Sequence, residues 1–105
     1  MKELYRMHAE MCKVFTNPTR IEILNLLRKG EMSVTELVKK TELSQANISQ
    51  HLSIMRSRGI VSPKRRGKNI YYKIMNKKII KAFDIMRGIL AEKLINDNRK
   101  FRETP

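Results

Sequence analysis

Apolar positions along this chain recur first at a helical period and later at a strand period. Leu4, Met7, Met11, Val14 and Phe15 repeat at helical spacing, which predicts an amphipathic helix over about 3–15. Asn17-Pro18 restarts the chain, because Asn can cap a helix and Pro suits its first position. The second helix, about 18–28, carries Ile21, Ile23, Leu24, Leu26 and Leu27, and Gly30 stops it. Ser33-Val34-Thr35-Glu36 has the form of a capping box and opens a short helix of about 34–40. A turn at Thr41-Glu42-Leu43 follows. Ser44 then caps a helix that runs to about Arg58 and stops at Gly59, with Ile48, Leu52 and Met55 on one stripe. Two short helices joined by a tight turn make residues 33–58 a helix-turn-helix.

Past Gly59 the composition changes. Ile60-Val61 and Ile70-Tyr71-Tyr72-Lys73-Ile74 are rich in β-branched and aromatic residues, and Pro63 to Asn69 reads as a basic loop turning at Gly67. Residues 60–74 therefore form a hairpin with a basic tip, a wing. A long helix follows from Asn76 to about Asp97, with Ile79, Ile80, Phe83, Met86, Ile89, Leu90 and Leu94, and residues 98–105 read as a frayed tail. The fold class is mainly α with a small β-hairpin (α+β), in the order helix-helix-helix-helix-wing-helix, within a single domain spanning 1–105.

Length and composition fit that reading. A chain of 105 residues is one domain with a modest core, and pairing with a second copy would bury more apolar surface. With 41% hydrophobic and 31% charged residues it is globular rather than disordered. No apolar run is long enough to span a membrane, and the N-terminus lacks the uninterrupted apolar stretch of a signal peptide, so a cytoplasmic location is expected. The single cysteine, Cys12, cannot make an intrachain disulfide.

Charge adds the functional direction. The net charge is +13, and Leu43 to Phe83 contains no Asp or Glu while carrying Arg56, Arg58, Lys64, Arg65, Arg66, Lys68, Lys73, Lys77, Lys78 and Lys81. A solvated surface mixes both signs, so this segregation marks a face for a polyanion. A helix entering a major groove needs an apolar docking face and a second face of short polar groups. Ile48, Leu52 and Met55 supply the first. Ser44 at the cap, with Gln45, Ala46, Asn47, Ser49 and Gln50, supplies the second. Gln and Asn can pair with adenine, Ser with either base type, and Ala46 could touch a thymine methyl. Arg56, two turns on, would meet the backbone, and Lys64, Arg65, Arg66 and Lys68 suit phosphate or minor-groove contact. The expected partner is double-stranded DNA, with no membrane partner.

LSQANISQHLSIMRSRGIVSPKRRGKNIYYKI resembles the recognition helix and wing of the ArsR (arsenic-repressor, SmtB-like) winged-helix regulators, and Asn17-Pro18-Thr19-Arg20 is similar to that family's Asp-Pro-x-Arg. The resemblance covers about residues 14–80. It implies a homodimeric repressor on a palindromic operator, paired through helices 1–15 and 76–97. Leu4, Met7, Met11, Phe83, Met86, Leu90 and Leu94 would then line the interface. By themselves such stripes are more often plain core, so the interface rests on the resemblance. The alternative is a non-sensing, charge-driven chromatin-like or transcription-machinery module that binds DNA or RNA. The short neutral side chains of the recognition helix favour the regulator, since a purely electrostatic binder does not require them.

The metal motifs of the best-known relatives are missing. Where arsenic and cadmium sensors carry Cys-x-Cys, this chain has Ser33 and Thr35, which are not soft ligands. The zinc-sensor positions become Asn76, Lys78, Ile89 and Glu92, of which Glu92 alone is a ligand. His8 and Cys12, at i and i+4, admit three readings: packed side chains, which the frequency of buried free thiols favours; half of an intersubunit Cys₂His₂ zinc set; or a redox-active thiol. The methionines are scattered and suit core filling. No cofactor is expected, and a small-molecule or redox inducer is left open. A glycine-rich phosphate loop, a nucleophile elbow and a His-Glu metal motif are all absent from the sequence, so an enzyme is not expected.

Overall fold

The computed structural model describes residues 1–103 of the chain, with side chains through Arg99. Five helices and three strands follow in the order α1 (Lys2–Val14), α2 (Pro18–Leu27), β1 (Met32–Ser33), α3 (Val34–Thr41), α4 (Gln45–Ser57), β2 (Val61–Arg66), β3 (Asn69–Ile74) and α5 (Lys78–Glu103). Local chemistry sets each boundary. The Asn17 side chain accepts from the amides of Thr19 and Arg20 at 2.9 and 3.3 Å, with Pro18 at the first helical position. Ser33 and Glu36 close the capping box in both directions. Ser44 accepts from the Asn47 amide at 3.1 Å to start α4. That helix ends in a Schellman turn: Ile60 N–H donates to Met55 C=O and Gly59 N–H to Arg56 C=O, with Gly59 at φ 72°. Ile60 and Met55 are both fully buried there, which supplies the apolar contact of that motif.

The strands form one antiparallel sheet in the order β1-β3-β2. β2 pairs with β3 from Val61↔Ile74 to Arg66↔Asn69, so the turn shrinks to Gly67-Lys68, with Gly67 at φ 61°. The hairpin is thus longer than sequence patterning indicates. Pro63, which reads as a loop residue, sits within β2; this is tolerated because β2 is an edge strand and its outward positions need no N–H donor. The third strand, β1, is absent from the expected order. It pairs Met32↔Tyr72 and Ser33↔Tyr71, and two residues are too few to show a strand period. The last helix also runs further than expected, to Glu103, where sequence reading begins a frayed tail at residue 98; residues 104–105 lie outside the described residues.

The core is Val14, Ile23, Leu24, Leu27, Leu37, Ile48, Leu52, Met55, Ile60 and Val61. It is built almost wholly from α2, α3, α4 and the sheet. α1 contributes Val14, and α5 reaches the core through the half-buried Ile79 and Phe83. Phe83 meets Phe15 edge-to-face, ring centroids 5.0 Å apart, a favoured aromatic geometry. Beyond that contact the apolar faces of α1 and α5 are open: Leu4, Met7 and Met11 on one, Ile85, Met86, Ile89, Leu90 and Leu94 on the other, each 44% exposed or more. No helix among the described residues is long and apolar enough to cross a membrane.

Candidate nucleic-acid interface

The α4 sequence segregates its faces. Ile48, Leu52 and Met55 are fully buried against the core, while Ser44, Gln45, Ala46, Asn47, Ser49 and Gln50 all lie exposed at and after the cap. The first turn carries no acid. Ser53 is exposed one turn beyond Ser49 and Gln50; it belongs to the same outward face and is missed by a reading confined to the helix start. Its i+3/i+4 spacing is the signal that would have found it. Arg56 is exposed further along.

Two contacts, besides the buried stripe, fix how α4 is presented. Arg20 donates through Nη1 to the carbonyl of Val14 at 3.2 Å and through Nε to Nδ1 of His51 at 3.3 Å. One guanidinium thereby joins the end of α1, the first turn of α2 and the middle of α4. His51 must be unprotonated at Nδ1 to accept that bond. Burial, with Arg20 beside it, holds its pKa below the ordinary histidine value. At the other end of α4, Arg58 donates to Glu10 of α1 at 2.8 Å, and this arginine draws the Glu10 carboxyl below the usual range. Arg28 and Asp84 pair at 2.7 Å across α2 and α5, lowering the Asp84 carboxyl likewise.

These ion pairs divide the basic run. Lys64, Arg65 and Lys68 are exposed on the wing and, like Arg56, carry no ion pair among the described residues. Arg58 and Arg66 are engaged, the latter with Glu31 and lying over the Tyr71 ring at 5.5 Å. Lys64, Arg65 and Arg66 occupy strand β2 rather than a loop, so a rigid ribbon carries them.

Among the other candidates, Phe83 is turned toward Phe15 of its own chain, while Leu4, Met7, Met11, Met86, Leu90 and Leu94 are open. Ile85, Ile89 and Ile95 widen the exposed α5 face beyond the residues expected at the interface. Ser33, at the arsenic-sensor position, is buried and committed to capping α3. Cys12 and His8 are exposed on α1, and no group of three or more His, Cys, Asp or Glu side chains suited to a metal ion occurs among the described residues.

A capped helix-turn-helix that exposes short polar side chains beside a cationic β-ribbon defines a winged helix-turn-helix DNA-binding protein. Residues 17–62 match the family of bacterial regulatory proteins named arsR. The HTH-type transcriptional regulator Rv0081 of Mycobacterium tuberculosis is 36% identical over 92 residues, which span 87% of this chain and 81% of that protein. Its crystal structure superposes with a TM-score of 0.81 at 35% identity, over 90% of this chain and 95% of that one. PagR, a transcriptional repressor of Bacillus anthracis, is 38% identical over 72 residues, covering 68% of this chain and 72% of its own. The homodimeric winged helix-turn-helix DNA-binding domain of Mb0332 from Mycobacterium bovis superposes with a TM-score of 0.79 at 28% identity, over 89% of this chain and 86% of that domain. The chain belongs to the ArsR family of DNA-binding transcriptional regulators.

Proposed function

We propose that the chain is a cytoplasmic, homodimeric repressor that binds a palindromic operator and has no catalytic role. The observation that carries the reading is the exposed, acid-free face of α4 flanked by unpaired wing cations. Gln45, Ala46, Asn47, Ser49 and Gln50 read base edges, with Ser44 at the cap. Arg56, Lys64, Arg65 and Lys68 hold the phosphates. Two copies pair through α1 and α5, whose open apolar faces exceed what a soluble monomer leaves scattered on its surface. The homodimeric state of Mb0332 and the repressor role of PagR support assembly and direction of regulation. His8 and Cys12, exposed on the single chain, lie at the margin of that interface and hold no metal.

Fluorescence anisotropy with the protein's own upstream DNA and a scrambled duplex, at two salt concentrations, tests this. Specific binding tighter by about 10³-fold or more at physiological salt is the expected result. Equal affinities that fall together with salt would replace it with the charge-driven module. A symmetric footprint, and a reporter whose transcription rises when the protein is removed, test the palindrome and the repression.

A further inference from the structure

Arg66 stands at the far end of edge strand β2, where a phosphate contact would be sought. Its side chain is already engaged by groups of its own chain. Lys64 pairs with Tyr71 and Tyr71 with Ser33, so by strand alternation Arg66, Tyr71 and Glu31 all belong to one face of the sheet. That face is opposite the one carrying the buried Val61. Along it Arg66 crosses the Tyr71 ring at 5.5 Å and ends in an ion pair with Glu31, immediately before β1. The side chain thus spans all three strands, from the outer edge to the chain entering the opposite edge.

We propose that Glu31 and Arg66 form an anchor that fixes the angle of the wing, and that Arg66 is a positioning residue rather than a phosphate contact. Two acceptors of different kind hold the arm: a carboxylate and an aromatic face, each attractive to a guanidinium. The Arg66 and Glu31 side chains are 50% and 28% exposed, so the pair adds little to global stability. Its effect is local. Without it the two-stranded ribbon projecting past β1 is free to swing, and Arg65 and Lys68 lose their fixed distance from α4. The proposal rests on the reading of the wing as a DNA-contacting element.

Glu31→Gln separates this from simple electrostatics, because the two predict opposite signs. Removing an acid beside a polyanion site should tighten binding by charge alone. Release of an anchor should weaken it, by about two- to fivefold for a pair of this exposure. Operator affinity is measured by anisotropy across a salt series for wild type, Glu31→Gln, Arg66→Ala and Arg65→Ala. The expected result is weaker binding by Glu31→Gln and by Arg66→Ala, both with the wild-type salt slope, and a slope lowered by about one for Arg65→Ala. Unchanged or tighter binding by Glu31→Gln, or a slope lowered by about one in Arg66→Ala, overturns the anchor. An Arg65→Ala variant that matches wild type in affinity and slope overturns instead the reading of the wing as a DNA contact.

Discussion

The two halves of this molecule solve burial in different ways. The reading unit of α2, α3, α4, the sheet and the turn joining α4 to β2 packs its apolar side chains against itself, and every member of the buried core except Val14 comes from it. The outer helices α1 and α5 leave their apolar stripes uncovered; Leu90 and Leu94 are 54% and 65% exposed. Both regions show the same helical period in sequence. Periodicity states that a helix has an apolar face, and only the three-dimensional arrangement states whether the same chain covers it. The reading unit covers its own apolar surface, whereas the outer helices do not, and on the function proposed above a second copy covers them.

Substitutions can break that contrast. Leu52→Ala, in the middle of the core, should cost about 2–5 kcal/mol of unfolding free energy in a denaturant titration, because the surrounding helices cannot collapse into the space. Leu90→Glu should leave the fold of the reading unit intact by circular dichroism. It should weaken self-association on the order of 100-fold by analytical ultracentrifugation, since a carboxylate would be placed in an apolar interface. A Leu90→Glu variant as tightly dimeric as wild type would remove the α5 face from the interface. Gln50→Ala touches neither region's packing and should cost about 1–3 kcal/mol of base discrimination at one operator position, read from a panel of single-base variants. Unchanged preference would displace Gln50 from the reading face.

The smallest effect is expected at the joint between the regions. His51 is held below its ordinary pKa by burial and by Arg20, so the unfolded chain takes up a proton more readily than the folded one. Its contribution to stability is complete above about pH 6.5 and declines as pH falls below that value. The melting temperature should fall between pH 7 and pH 5, and His51→Gln should fall less over the same range. Equal slopes in the two proteins would place the pH sensitivity elsewhere.

Elements governed by local chemistry were legible from the chain. Asn17, Ser33, Ser44 and Gly59 sit at helix ends where short-range hydrogen bonds and positive φ decide the boundary, and α2, α3 and α4 begin where those residues indicate. Features set by long-range pairing were not. β1 exists because Ser33 finds Tyr71 across 38 positions of sequence, and Pro63 is a strand residue because β2 happens to be an edge. The polar face of α4 was readable from its spacing. That Arg58 and Arg66 are occupied was not, since their partners Glu10 and Glu31 lie 48 and 35 positions away, and charge counting treats every arginine alike.

The edges of the sheet have a consequence for how the protein behaves at high concentration. A free strand edge is a template on which another chain can add, the first step toward fibrillar aggregation. One edge here is β2, interrupted by Pro63 and followed by three consecutive cations that repel a like strand. The other is β1, only two residues long. Strand addition is discouraged at both, so the basic ribbon resists polymerising with its own kind.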